Sequence, residues 1–198
     1  MERVDQVIQN EFEEARKCFE RFWADSVVRE RIGEAAVVLA DCFRTGGHAY
    51  SCGNGGSMCD AMHFAEELSG RYRGDRPALG AMAFSDPGHL TCVGNDYGFE
   101  EVFARAVEAQ GRRGDVLVVF STSGSSRNVV RACEAAREIG MKIVALTGRE
   151  GSEVGGLADV TMVCEGAGFA DRVQEMHIQI VHILIGLTER LMFDESAD

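Results

Sequence analysis

Apolar residues Val4, Val7, Ile8, Phe12, Ala15, Phe19 and Phe22 recur at steps of three and four. That spacing lines one face of a helix and leaves Glu11, Glu13 and Glu14 outside the stripe, so it predicts a helix over residues 3–22. Asp25 or Ser26 stands where a second helix would be capped. The helix would run through Ala35, Ala36, Val38, Leu39 and Phe43 and stop at Gly46 and Gly47. The pattern then changes to short apolar runs that end in turn residues: HAYSC (48–52), AMAFS (81–85), DVLVVFS (115–121), KIVALT (142–147) and DVTMVC (159–164). Such runs read as buried strands. Helical stretches at 57–69, 99–109, 126–139 and near 153–158 separate most of them. This alternation predicts an α/β domain, a doubly wound parallel sheet of five strands with helices on both faces. The last stretch, DRVQEMHIQIVHILIGLTERLM, is apolar nearly all round between Ile178 and Leu187. It is expected to be a long helix buried in the domain or against another chain.

Composition narrows the function classes. With 198 residues, 45% of them hydrophobic, the chain has the length of one domain and enough apolar mass for a core, and it shows no internal repeat or linker. The 32 acidic against 20 basic residues give a net charge of −12. That balance opposes the counterion-release attraction behind nucleic-acid binding and argues against anionic membranes as partners. The seven cysteines are scattered singly, with no CxxC pair, so neither a disulfide framework nor a structural zinc cage is indicated, and a reducing cytoplasm is expected. The start, MERVDQVIQNEFEE, carries charges where a signal peptide needs an apolar core, and no apolar run reaches bilayer length. The expectation is a soluble, unexported protein.

Two loops stand out. GNGGS follows the first strand, and TSGSSRN follows the third. Both sit at carboxyl ends of strands, where open α/β sheets bind ligands, and helix starts there can hold a phosphate on backbone N–H groups without a lysine. GNGGSM is not a dinucleotide fingerprint, because Met58 stands where the third glycine belongs. Nor is it a P-loop, which needs Lys after its last glycine. In the second loop Ser121, Thr122, Ser123, Ser125 and Ser126 offer five hydroxyls within six residues. A turn with Ser125 or Ser126 as N-cap explains one such loop; two in corresponding positions favour a phosphate site.

The helix opened by the first loop carries Asp60, His63 and Glu67 in one narrow sector, with Met58, Met62 and Ala65 opposite. His63 and Glu67 at a four-residue step can hold a metal ion or move a proton beside the loop. A solvated polar face is the plain alternative. Phe64 near the same sector weakens it, while Glu66 points elsewhere. His182 lies among Ile178, Val181, Ile183, Leu184 and Ile185, so its imidazole needs a hydrogen-bond or metal partner. From the residues alone a satisfied structural histidine is the better reading, and the same caution applies to Gln174 and His177. His48 and His89 are unassigned.

Taken together, SCGNGGS, CDAMHFAEELSGRY, GNDYGF, STSGSS and ADRVQEMHI…VHILI resemble the phosphoheptose isomerases, a branch of the sugar isomerase (SIS) domain proteins. The similarity runs over nearly the full chain, 1–198, as a single SIS domain of flavodoxin-like fold. The family implies conversion of D-sedoheptulose 7-phosphate to D-glycero-D-manno-heptose 7-phosphate, the first step toward ADP-heptose and the lipopolysaccharide core. It also implies a cytoplasmic homotetramer with one zinc per subunit, with residues 1–46 used in oligomer packing. Carried onto this sequence, the resemblance places Asn54, Gly55, Gly56, Ser57, Asn95 and Asp96 on the sugar and Ser121, Thr122, Ser123 and Ser126 on the phosphate. His63, Glu67, Gln174 and His182 would bind zinc, Gln174 and Glu67 also reaching substrate, and Glu67 and His182 would supply base and acid, the reverse order remaining open. Gln174 and His182 are about 12 Å and about 80° apart on a regular helix. Either the helix begins after Gln174 or bends there, or two subunits share the site; the latter is expected. The rival class is a non-catalytic SIS protein of the DnaA initiator-associating type, which needs no acid and base at positions 67 and 182.

Overall fold

The computed structural model describes residues 2–166 and 168–193. Two helices come first, α1 (Glu2–Ala24) and α2 (Ser26–Arg44). Asp25 separates them because its carboxylate accepts the N–H groups of Val27 at 2.8 Å and Val28 at 3.4 Å, which would otherwise be orphaned at the start of α2. The chain then alternates: β1 (Ala49–Gly53), α3 (Gly56–Ser69), β2 (Ala81–Ala83), α4 (Pro87–Asp96), a 3-10 turn (Phe99–Glu101), α5 (Ala104–Gln110), β3 (Val116–Ser121), α6 (Arg127–Ile139), β4 (Lys142–Thr147), α7 (Glu153–Leu157), β5 (Val160–Val163) and α8 (Ala170–Phe193).

All pairings in the sheet are parallel, in the order β2-β1-β3-β4-β5. Alternate strand residues feed two cores. Val116, Val118 and Phe120 meet α2, α3 and α8 on one face, while Leu117 and Val119 meet α5 and α6 on the other. A strand with both faces covered must be apolar throughout, and all six residues of β3 are buried. The strand order reverses direction between β1 and β3, so α3 and α6 leave the sheet toward opposite faces and a crevice opens at the carboxyl ends of those two strands.

The expected strands appear at their expected places, and the helix expected at 99–109 is broken into the 3-10 turn and α5. Helix α4 was not expected. It offers little apolar periodicity, with only Val93 buried, and its visible signal is a cap: Asp86 accepts the His89 N–H at 2.7 Å ahead of Pro87 in the first turn. Helix α8 buries Val173, Met176, Ile180, Val181, Leu184 and Ile185, whereas Ile183 is 40% exposed. Helix α1 lies mostly outside the core and presents Val4, Ile8, Phe12 and Trp23 to solvent. Arg172, buried at the start of α8, ties it down through the Glu11 carboxylate.

Candidate active site at the switch between β1 and β3

The first loop is shaped by backbone needs. Gly55 adopts φ 57°, which a side chain would strain, and Gly56 packs so closely that a Cβ there would lie 2.5 Å from Oε1 of Gln174. Gln174 on α8 therefore faces this loop. Asn54 and Asn128 exchange carboxamide hydrogen bonds at 2.9 and 2.8 Å, which joins the first loop to the start of α6. Asn128 is buried; nothing in its periodicity marks it, and sequence reading missed it.

In the second loop the Ser121 hydroxyl accepts the Gly124 N–H at 3.1 Å, and the Ser123 hydroxyl accepts the Ser125 N–H at 3.3 Å. Ser126 occupies the N-cap of α6, yet its hydroxyl makes no capping bond. The simple N-cap explanation therefore does not account for that serine. Its hydroxyl, with the first N–H groups of a 13-residue helix, remains available to an anion. Asn95 and Asp96 end α4 exposed, the Asn95 carboxamide donating to Asp96 at 2.7 Å. No hydrogen bond among the described residues brings them to the loops.

One face of α3 packs through Ala61, Phe64, Ala65 and Leu68, with Phe64 fully buried. Met62, expected on the packing side, is 48% exposed, because the buried arc is centred on Phe64 and Leu68 rather than opposite the polar sector. Asp60, His63 and Glu67 lie beside that arc, half-buried, and Glu66 is exposed. Nε2 of His63 is 3.2 Å from Oε1 of Glu67. His182 comes from α8 to meet them: one ligand atom each from His63, Glu67 and His182 lies within 4.8 Å of the others. Three ligands from one chain thus converge without a second subunit. Helix α8 begins at Ala170, before Gln174, so a late helix start does not explain how Gln174 would join them.

Burial pushes the His182 imidazole below its ordinary pKa; His63 and Arg73 act in the same direction and Glu67 opposes them. The Asp60 carboxyl is pushed up to about 6 by burial, against the lowering influence of His63, and its Oδ2 is buried without a hydrogen-bond partner. His177 faces the other way, fully buried against Phe120.

A family model described as the SIS domain matches residues 12–148. The phosphoheptose isomerase of Escherichia fergusonii is 54% identical over 94% of this chain and 97% of its own length. This chain belongs to the phosphoheptose isomerase family of SIS-domain proteins. Solved phosphoheptose isomerases share its fold: that of Neisseria gonorrhoeae at TM-score 0.86 and 36% identity over 94% of this chain and 98% of that one, and that of Francisella tularensis at TM-score 0.88 and 34% identity over 96% and 100%. Within one chain the paired loops and the three candidate ligands lie apart: Glu67 follows Gly56 by eleven residues, roughly 16 Å along α3, so His63, Glu67 and His182 meet toward the end of that helix away from the loops. No described helix is long and apolar enough to cross a membrane.

Proposed function

We propose that this protein interconverts D-sedoheptulose 7-phosphate and D-glycero-D-manno-heptose 7-phosphate, supplying heptose for the lipopolysaccharide core in the cytoplasm. The observation that carries the reading is the meeting of His63, Glu67 and His182 from α3 and α8, in a chain whose two carboxyl-end loops lead into α3 and α6. Ser121, Thr122, Ser123 and Ser126 with the α6 amides grip the phosphate. Asn54, Gly55, Gly56, Ser57, Gln174, Asn95 and Asp96 line the sugar. An acidic protein holds an anion here because backbone dipoles and hydroxyls, not lysines, provide the attraction.

Isomerisation requires one proton to move from C1 to C2 and another from O1 to O2 through an enediol. Glu67 takes the C1 proton and delivers it to C2. His182 donates to O2 and accepts from O1, so both residues end as they began. Burial holds His182 below its ordinary pKa, which favours the neutral imidazole, a ring with one nitrogen to donate and one to accept.

His63, Glu67 and His182 would hold a zinc ion, one per subunit, and Gln174, which in its own chain lies against Gly56, would complete the set from a neighbouring subunit. The donors fit: two imidazoles and a carboxylate suit zinc, and the 3.2 Å between His63 and Glu67 is near the roughly 3.4 Å edge of a tetrahedron with bonds of about 2.1 Å. Bound there, the ion supplies a Lewis acid for the sugar oxygens. The exposed apolar stripe on α1 supports oligomer packing through residues 1–46, with a tetramer as the assembly. A protein that only binds a partner has no use for an acid and a base that meet.

The test is incubation of the purified protein with sedoheptulose 7-phosphate while following the aldoheptose phosphate. Glu67→Gln and His182→Ala should each lose about 10²–10⁴-fold in kcat. Full activity in both would defeat the assigned roles, and no conversion by the unmodified protein would defeat the function.

A further inference from the structure

His182 lacks the support usual for a metal-ligating or proton-exchanging imidazole. Such rings are generally oriented by a hydrogen bond from their second nitrogen to a carboxylate or carbonyl. Among the described residues neither nitrogen of His182 makes one, although His63 pairs with Glu67 at 3.2 Å. What His182 has instead is packing. The Tyr72 ring stacks on it with centroids 5.9 Å apart and planes at 21°, and the His63 ring meets it edge-on at 5.1 Å and 73°. The imidazole is thus held between a face and an edge.

Tyr72 is in turn seated. Gly186 follows His182 by one helical turn on the same side of α8, and a Cβ there would touch Cε1 of Tyr72 at 3.7 Å. A methyl fits that space, whereas a longer side chain grows into the place of the ring. The Arg73 guanidinium lies 5.0 Å from the Tyr72 ring centre, a cation over an aromatic face. Beyond the ring a cleft of about 560 Å³ opens, lined by Tyr72, Gln179, His182, Ile183 and Gly186. Tyr72 and His182 both line that cleft, so removing the tyrosine ring leaves open space beside the imidazole into which it can turn.

We propose that Tyr72, seated on Gly186 and covered by Arg73, is a positioning residue that fixes the plane of the His182 imidazole for metal ligation and proton exchange. The role of His182 rests on the function proposed above, but the role of Tyr72 can be read without turnover.

The experiment titrates Co²⁺ into metal-stripped protein against a competing chelator, alongside steady-state kinetics, for Tyr72→Leu, Tyr72→Phe and Gly186→Leu. Tyr72→Leu should weaken ion affinity by about 10–100-fold, the range for loss of an orienting neighbour, and lower kcat by at least about 10-fold with KM nearly unchanged. Tyr72→Phe keeps the ring and should stay within about 2-fold of the unmodified protein in both readouts. Gly186→Leu, which substitutes neither Tyr72 nor any ligand but displaces the tyrosine ring, should follow Tyr72→Leu, so misfolding of either one leaves the other to decide. Unchanged ion affinity and kcat in the folded leucine variants would overturn the proposal, as would failure of Tyr72→Phe to preserve them or an unmodified protein that takes up no ion. An unmodified protein that binds Co²⁺ but isomerises nothing would overturn the function above, and the affinity series would still decide the role of Tyr72.

Discussion

His177 offers a quantitative test of how α8 packs on the sheet. Its imidazole is fully buried, neither ring nitrogen has a partner of good geometry, and burial pushes its pKa down to about 4 from 6.5, with the Thr147 main chain acting weakly the other way. The folded state therefore binds fewer protons at this site than the unfolded chain does between those two values. Stability from the site is complete above pH 6.5 and is lost as pH falls toward and through 4. The separation between those values corresponds to about 3 kcal/mol over the whole window. About 2 kcal/mol of this should be gone between pH 7.5 and pH 5. His177→Met removes the titration while roughly conserving volume and replaces two unpartnered nitrogens with apolar atoms. Urea unfolding at both pH values, with protomer concentration fixed, gives the stability loss for each protein. The unmodified protein should lose about 2 kcal/mol more than the variant, since every other titrating group is common to both. Equal losses would refute the reasoning and place a proton, a water or an acidic partner on His177.

Two shorter predictions follow. Gly56→Ala puts a methyl where Gln174 now lies, but the displaced atoms belong to the end of a flexible side chain, so stability should change by less than about 1 kcal/mol while KM for the sugar phosphate rises about 10-fold. Combining it with Gln174→Ala should cost no more than Gln174→Ala alone, and additive losses in kcat/KM would show that the two residues act separately. Phe12→Glu, on the α1 stripe where this side chain is 72% exposed, should shift the protein toward smaller species in light scattering without changing its helical signal; an unchanged mass would remove α1 from the assembly.

Much of the architecture was legible before any coordinates. Strand β4 falls on its apolar run, and Asp25 caps α2, because local hydrogen bonding and burial period act over a few residues. Helix α4 escaped because its amphipathic signal is nearly absent and a single cap marks it. The packing face of α3 was misjudged at Met62 because periodicity gives the angle between residues but not where the sheet lies relative to them. The polar sector itself, and the family membership it helped to reveal, came from the residues.

The sequence by itself determined the order of elements, the two donor-rich loops and the placing of Asp60, His63 and Glu67 on one side of α3, since each depends on chemistry within about one helical turn or one loop. Tertiary structure alone decided which distant groups meet. It brought His182 to His63 and Glu67 within one chain, turned His177 inward, paired Asn54 with Asn128, laid Gln174 on Gly56 and stacked Tyr72 over Gly186. Those contacts depend on how α3, α6 and α8 dock on a twisted sheet, a register set by the packing of the whole core and written in no short stretch of the chain.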